Sequence, residues 1–307
     1  MRDDPKADKS RIPAPTASRS LAPVVLVTGK GGVGKTTVAA SLAVLAAETN
    51  GTAVLVEFGD GQSGKRALLG SGKRVEHVVI HPDEALQRGA TPLFGSAMIA
   101  KLAMGNFAMK SLLRAAPAVR ELAMLESVRQ LAAERPGTRV VVDLPATGHS
   151  VAWMRVPRQG RTLLGSGPLF DMCERLAREL LAPGKASLVV VTLPEALVLE
   201  ETLELCDAIE RDVEMQVDRI VINRVPVGVE QQALDDARAG ARSMSPDAMA
   251  YHALLTVLEA RAAATNNALT ALQTIHHRAD LLWRIPLSAV DPKASDVARW
   301  LSAEGAT

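Results

Sequence analysis

The stretch VVLVTGKGGVGKTT, residues 24–37, decides the fold of this chain of 307 residues. Its first half, Val24 to Thr28, is a short run of apolar and β-branched residues, which is typical of a strand buried in a parallel sheet. Its second half contains the pattern G-x-x-x-x-G-K-[ST], and the residues that follow, Thr36 to Glu48, place apolar side chains at helical spacing. A strand, a glycine-rich turn and a helix in this order predict a loop that surrounds phosphate groups.

The residue types of this loop support a nucleotide site. Glycines let backbone N–H groups turn inward toward phosphate oxygens, and the N-terminus of the following helix adds its dipole. We expect Lys35 to reach the β- and γ-phosphates of ATP, the Thr36 hydroxyl to ligate Mg²⁺ and Thr37 to contact the α-phosphate. A glycine turn that binds nothing is the alternative. The predicted nucleotide-binding residues of the loop are Gly29, Lys30, Gly31, Gly32, Val33, Gly34, Lys35, Thr36 and Thr37.

A second candidate ligand for the metal comes from the sequence RVVVD, residues 139–143, which predicts another buried strand with a carboxylate at its end. Ligands of parallel sheets bind at the carboxyl ends of the strands, so Asp143 is expected close to Thr36. An acidic residue there would hold magnesium, usually through water. The alternative is an aspartate that only caps the next loop.

The rest of the chain alternates between strand and helix patterns. Further strands are predicted at residues 53–57, 75–80, 188–192, 218–223 and 281–285. This alternation predicts an α/β fold with a doubly wound, mostly parallel sheet covered by helices on both faces. Residues 1–22 are polar and rich in Pro, Lys and Arg, and we assign them to a disordered tail. Residues 23–307 then form a single domain, with a helical insertion at about 84–135.

Composition excludes several classes of protein. The formal net charge of +1 gives no reason to expect a nucleic-acid partner or an anionic membrane surface. No apolar run reaches the ~18–20 residues that a membrane span needs, and the N-terminus lacks the apolar core of a signal peptide. Cys173 and Cys206 are the two cysteines, with no CxxC pair, which argues against a zinc or iron–sulfur site within one chain. We therefore expect a cytoplasmic protein.

Two motifs point to a known family. GKGGVGKT, with a second lysine at Lys30, resembles the deviant phosphate loop shared by the MinD, ParA and nitrogenase-reductase group and by the ArsA group. The segment DLPATGHS, residues 143–150, is similar to the D-x-A-P-T-G-H-T segment of the ArsA family, with Pro and Ala in exchanged order. Its Thr-Gly-His continuation favours ArsA over MinD and ParA. The ArsA family includes the arsenite-pump ATPase and the eukaryotic ATPase that delivers tail-anchored membrane proteins.

The resemblance, which runs from about Val24 to Leu301, implies roles for particular residues. In those families the lysine at the place of Lys30 reaches across a dimer interface to the partner's nucleotide, so Lys30 joins Lys35 as a catalytic candidate and a homodimer or a heterodimer with a paralogue is implied. A solvated lysine is the alternative. The segment containing Gly148 resembles switch II, which senses the γ-phosphate.

The resemblance also extends to the base of the nucleotide. Asn223 matches the asparagine that recognises adenine, and a carboxamide can both donate and accept there. Pro286 belongs to a segment, Ile285 to Leu287, that resembles the family's late loop beside the base.

The second strand departs from the family pattern. Related ATPases place an aspartate that orients the attacking water two residues after the first acidic position. Here Glu57 holds the first position and Gly59 the second, and Asp60 could substitute only if the loop were shifted by one residue. Losing a group that positions water typically costs ~10²–10⁴-fold in rate. We therefore expect slow turnover, with Asp60 as the candidate catalytic residue.

The segment from Phe94 to Met124 is a possible client surface. Methionine is flexible and suits irregular apolar clients, and in the tail-anchored-protein relative methionine-rich helices at this place form the client groove. Ordinary core or a dimer face is the alternative. The methionines concerned are Met98, Met104, Met109 and Met124.

The sequence is compatible with three functions. The first is a dimeric ATPase that couples its nucleotide state to a client or partner protein. The second is a regulatory scaffold with little catalysis, and the third is a MinD- or ParA-type positioning ATPase. Arsenite transport is disfavoured because the metal-binding cysteines of the arsenite pump are missing.

Overall fold

The computed structural model describes residues 20–71, 74–94, 96, 98, 116–145, 147–242 and 247–306. Its strands are β1 (Val24–Gly29), β2 (Ala53–Phe58), β3 (Val75–Ile80), β4 (Arg139–Asp143), β5 (Ala186–Thr192), β6 (Arg219–Val225) and β7 (Leu282–Pro286). Its helices are α1 (Lys35–Asn50), α2 (Gln62–Ala67), α3 (Pro82–Phe94), α4 (Pro117–Glu134), α5 (Thr147–Leu163), α6 (Pro168–Glu179), α7 (Ala196–Asp212), α8 (Gln231–Ala241), α9 (Ala248–Leu272) and α10 (Ala294–Ala303). A 3₁₀ helix, Gln273–Leu281, joins α9 to β7.

The strands form one sheet in the order β3-β2-β4-β1-β5-β6-β7, and every pairing in it is parallel. The predicted α/β fold with a doubly wound sheet is therefore confirmed. β1 lies between β4 and β5, with Val27 opposite Asp143 and Gly29 opposite Val191. The end of β1 thus opens at the switch point of the sheet, where ligands of such folds bind.

Side chains alternate along each strand between two cores. On one face, Leu26 and Val142 pack with apolar residues of α4, α5, α6 and α7. On the other, Val25 and Val141 pack with α1 and α10. Residues 38–47 of α1 are all buried, because α10 covers the side of α1 that faces away from the sheet. The helix that follows the phosphate loop is therefore held by apolar packing on all sides.

Pro157 predicts the end of a helix that begins near Val151, and this prediction is wrong. α5 runs from Thr147 to Leu163 with Pro157 inside it. Proline removes one backbone N–H and crowds the preceding turn, at a cost of about 3 kcal/mol in a helix interior. Met154 and Val156 are buried in the core beside Pro157, and this packing outweighs the local preference.

The start of the described chain lies against the sheet. Leu21 is buried, and its carbonyl accepts a hydrogen bond from Arg139 Nη2 at 3.0 Å. The Ala22 N–H donates to Ser187 Oγ at 3.0 Å. Residues 1–19 of the predicted tail lie outside the described residues.

The predicted helical insertion is described only at its two ends. It contains α3 and α4. Between these helices, residues 99–115 lie outside the described residues, and Met104 and Met109 are among them. Met98 is 84% exposed, and Met124 is buried in the core. Among the described helices, none combines the length and the apolar character needed to cross a bilayer.

A substitution at Gly29 tests the close approach of β1 to β5. A Cβ added to Gly29 would lie 2.2 Å from the Val191 carbonyl oxygen, and its φ of +148° is unfavourable for other residues. Gly29→Ala should therefore lower the free energy of unfolding in urea by more than about 2 kcal/mol. Gly31→Ala is the matched control, since nothing lies within 4 Å of its added Cβ. Equal stability of the two variants would contradict the tight packing.

Candidate nucleotide-binding site

The phosphate loop connects β1 to α1 and ends in a tight left-handed turn. Gly34 has φ of +93°, and a Cβ added there would lie 2.4 Å from Asn223 Nδ2. A residue other than glycine would therefore displace the Asn223 carboxamide from the loop, and the positive φ would strain it as well. The close approach of Gly34 to Asn223 brings the first helical turn, with Lys35 and Thr36, beside the end of β6.

Lys35 lies inside the loop. Its ammonium donates to the Lys30 carbonyl oxygen at 3.0 Å, so the loop is closed by its own lysine. Burial lowers the pKa of Lys35, and the nearby Asp143 carboxylate opposes that change. A partly desolvated ammonium of this kind gains most from a new anionic partner such as a phosphate.

Thr36 and Asp143 meet as the sequence predicts. The Thr36 hydroxyl donates to Asp143 Oδ2 at 2.5 Å. Asp143 is only 9% exposed, and this desolvation raises the pKa of its carboxyl group to about 6. The bond from Thr36 and the charge of Lys35 act in the opposite direction, while the nearby Glu57 raises the pKa further.

The environment of Asp143 fits a magnesium ion. Its other oxygen, Oδ1, is buried without a hydrogen-bond partner among the described residues. A buried carboxylate oxygen with no partner, next to a threonine hydroxyl, matches the oxygen ligands that Mg²⁺ prefers. Thr36 and Asp143 are thus the residues that would hold the metal.

The end of β2 carries a second buried carboxylate, that of Glu57. Its Oε2 accepts from the Gly64 N–H at 2.8 Å and lies 3.1 Å from His77 Nε2. These contacts tie the short helix α2 to β2 and β3. Sequence reasoning counted Glu57 as the first acidic position but gave it no anchoring role, and His77 carries no motif that would have pointed to it.

Asp60 lies in the exposed loop between β2 and α2. Its Oδ1 accepts from the Gln62 N–H at 3.0 Å, so it caps the start of α2. The preceding Gly59 is exposed, with φ of +112°. The catalytic role of Asp60 stays a prediction.

A cavity of about 440 Å³ adjoins the loop. Five of the predicted residues line it together: Gly34, Thr36, Thr37, Asn223 and Pro286. Residues that the sequence did not indicate complete the wall, among them Ser63 and Arg66 of α2, Arg224, Ser288 and residues 290–292. They carry no motif, and only the fold brings them to the cavity.

Asn223 contacts the phosphate loop directly. Its Nδ2 donates to the Val33 carbonyl oxygen at 2.8 Å, and its Oδ1 accepts from the Arg224 N–H at 2.9 Å. The pairing of β6 with β7 is irregular between Ile222 and Val225, and Arg224 has φ of +58°. This irregularity fixes the carboxamide between the loop and the cavity.

Lys30 lies on the open side of the loop. Its Nζ is 2.5 Å from Glu201 Oε2 on α7, and the side chains of the two residues are 41% and 40% exposed. Glu201 had no signal in the sequence, because its place depends on how α7 packs on the sheet. The predicted role of Lys30 at a partner's nucleotide stays a prediction.

Gly148 lies in the first turn of α5, directly after the loop that follows Asp143. The beginning of α5 is joined to β1 by the buried side chains of Thr28 and Ser150, whose hydroxyl oxygens are 2.7 Å apart. The segment with Gly148 therefore starts next to both the phosphate loop and Asp143.

A parallel α/β sheet with this loop at its switch point defines the chain as a P-loop nucleotide-binding protein. Comparison with known families agrees. The chain belongs to the CobQ/CobB/MinD/ParA nucleotide-binding domain family, whose model matches residues 24–247. It is also similar to ATPase BagA of Mycobacterium tuberculosis and to a putative ATPase of Mycobacterium bovis. Each is 28% identical over 238 residues, which cover 70% of this chain and 69% of the relative.

Asp143→Asn should change the stability of the nucleotide-free protein in a pH-dependent way. The folded-state pKa of about 6 lies above the ordinary value of 3.8, so the free energy of unfolding falls as the pH rises from about 4 to about 6, and the full destabilisation by the charged carboxylate is present above pH 6. The variant should therefore unfold at higher urea, by about 1–3 kcal/mol, at pH 7.5, and the difference should vanish as the pH falls through 6 toward 4. Urea unfolding in EDTA between pH 4 and 8 measures this.

Asp60→Asn, which makes the same replacement at an exposed carboxylate, is the control substitution and is unfolded under the same conditions. If the gain from Asp143→Asn were the same at every pH, the carboxyl group of Asp143 would not be desolvated in the folded protein.

Proposed function

We propose that this chain is an ArsA-like ATPase that acts as a dimer and couples its nucleotide state to the binding of a client or partner protein. The observation that carries the proposal is the group formed by Lys35, Thr36 and Asp143, placed immediately before the segment that resembles switch II. The relatives named ATPase support the reaction class. Gly59, in place of the water-orienting aspartate, supports slow turnover.

The binding of ATP is divided among the chain's own residues. Lys35 offers its ammonium to the phosphates in exchange for the Lys30 carbonyl. Asn223 has two N–H groups and two acceptor lone pairs, of which the loop and the Arg224 N–H use one each, so one donor and one acceptor remain for the edge of adenine. Magnesium, when bound, neutralises negative charge on the phosphates.

The contacts of α5 support coupling to a distant surface. At its start α5 is joined to β1 through Ser150, and further along it pairs with the C-terminal end of α7. Arg155 forms an ion pair with Asp212. Arg158 donates to the Arg211 carbonyl at 3.0 Å and pairs with Glu214 at 2.7 Å. A shift of α5 on loss of the γ-phosphate would therefore be felt by α7.

The partner part of the proposal rests on Lys30 and on the exposed Met98. Lys30 projects from the open side of the loop, where a second subunit could meet it, and the partner is a second copy or a paralogue. Of the two methionines of residues 94–124 that the structure describes, Met98 supports a client surface and Met124 belongs to the core.

The family match favours a second candidate, a MinD- or ParA-type positioning ATPase. Such a protein needs a membrane-binding or DNA-binding surface. The apolar side of α10 is buried against α1 through Val297, Ala298 and Leu301, so this helix does not present that side to a membrane. A scaffold with little catalysis is the third candidate, and Gly59 favours it.

Lys30→Ala should abolish ATP hydrolysis while ATP still binds. The side chain is paired with Glu201, and the bond from Lys35 to the Lys30 backbone carbonyl does not depend on it, so affinity should stay within about threefold of wild type. A single-turnover assay with Mg-ATP measures the loss, expected to be about 10²-fold or more. Lys185→Ala is the control, because Lys185 is an exposed lysine directly before the amino end of β5.

The dimer part of the proposal is tested by mixing Lys30→Ala with Lys35→Ala. One variant keeps an intact phosphate loop and the other keeps Lys30, so turnover should return if the lysine acts across an interface. Hydrolysis by Lys30→Ala alone at the wild-type rate would exclude this role of Lys30.

Asp60→Asn should lower steady-state phosphate release by about 10²-fold without loss of ATP binding. Asparagine keeps the oxygen that accepts from the Gln62 N–H, so α2 should begin as it does in the wild type. Fluorescence titration with a labelled ATP analogue checks binding. Unchanged phosphate release would exclude Asp60 as the residue that orients water.

A further inference from the structure

Glu201 faces the phosphate loop from the second turn of α7. Its carboxylate is paired with the Lys30 ammonium at 2.5 Å, although the two residues belong to different elements. Both side chains keep about 40% of their surface exposed, so the pair can open without any change in the core. The lysine to which we assign a role at a partner's nucleotide is thus bound within its own subunit.

The position of Glu201 is fixed by the residues around it. Thr202, the next residue, is buried, and its hydroxyl donates to Thr192 Oγ1 at 2.7 Å, at the end of β5. Leu199 is fully buried in the core. Because β5 lies directly beside β1, with Val191 opposite Gly29, these contacts hold Glu201 next to the start of the loop.

Lys30 is held at two points. Its side chain is bound by Glu201, and its backbone carbonyl accepts from the Lys35 ammonium. Phosphate groups that bind Lys35 would compete for the second contact and leave the first. The ion pair with Glu201 is then the contact that decides where the Lys30 ammonium lies.

We propose that Glu201 is an autoinhibitory residue, which holds Lys30 in the isolated subunit and keeps it from a second subunit until the ion pair opens. This inference rests on the role of Lys30 in the proposed function. An exposed ion pair of this kind shifts an equilibrium by up to about fivefold. Only subunits in which the ion pair is open can offer Lys30 to a second subunit. The apparent affinity for the second subunit therefore falls as the fraction of subunits with Lys30 bound to Glu201 rises.

Glu201→Gln tests the inference, since glutamine keeps the size of the side chain and removes its charge. Glu200→Gln is the matched control, because Glu200 is the preceding residue on α7 and is exposed. The first measurement is the acetylation rate of Lys30 by an N-hydroxysuccinimide ester in the absence of nucleotide, followed by mass spectrometry of the peptide. We expect Glu201→Gln to raise this rate about twofold to fivefold and Glu200→Gln to leave it unchanged.

The second measurement is the single-turnover rate of ATP hydrolysis at a fixed protein concentration. Glu201→Gln should raise it by a similar factor, and the gain should shrink in high salt, which screens the pair in the wild type. An acetylation rate equal to wild type would show that the pair does not form in solution and would overturn the inference. A faster acetylation with slower hydrolysis would also overturn it, because Glu201 would then support the active arrangement.

These outcomes are separate from a failure of the proposed function. If Lys30→Ala hydrolyses ATP at the wild-type rate, the role of Lys30 at a partner's nucleotide fails, and the inference about Glu201 fails with it. If Lys30→Ala is inactive and Glu201→Gln behaves as wild type in both measurements, the proposed function stands and only the inference about Glu201 is lost.

Discussion

The parallel pairing of β1 with β4 on one side and β5 on the other places every part of the candidate site. Because all strands run in the same direction, the phosphate loop, Asp143 and Asn223 emerge at one edge of the sheet. The pairing is close at the end of β1, where Gly29 leaves no room for a side chain beside Val191. The apolar cores on both faces hold this arrangement, and the polar groups at the edge are positioned by it.

The same geometry places ionisable side chains in a partly desolvated region at the carboxyl ends of the strands. Asp143 and Glu57 occupy opposite register positions at the ends of β4 and β2, both buried. Lys35 lies close to Asp143 and is itself partly desolvated. The free energy stored in the desolvation of Asp143 and Lys35 would be released when a cation joins the Asp143 carboxylate and an anion joins the Lys35 ammonium. A magnesium nucleotide supplies both charges, so the site is complementary to that class of ligand.

The sequence predicts those parts of the structure that depend on local signals. Buried parallel strands appear as apolar runs, and the phosphate loop carries a motif whose glycines are required by its geometry. Contacts that depend on how distant elements pack are not visible in this way. His77 beside Glu57 and Glu201 beside Lys30 are ordinary surface residue types in the sequence. Pro157 shows the converse, a strong local signal that packing overrides.

The helix α7 connects the two parts of the site that a nucleotide would change. Glu201 near its start contacts Lys30 of the phosphate loop, and Asp212 at its end contacts Arg155 of α5. Asp212 lies 11 positions after Glu201 on this helix, which corresponds to about 16 Å. α5 begins beside Asp143 and Thr28, so each of the three elements contacts the other two: the phosphate loop with the β1 residue Thr28 before it, α5 and α7. If loss of the γ-phosphate moves α5, as in the proposed function, that movement also acts through Asp212 on the helix that holds Lys30.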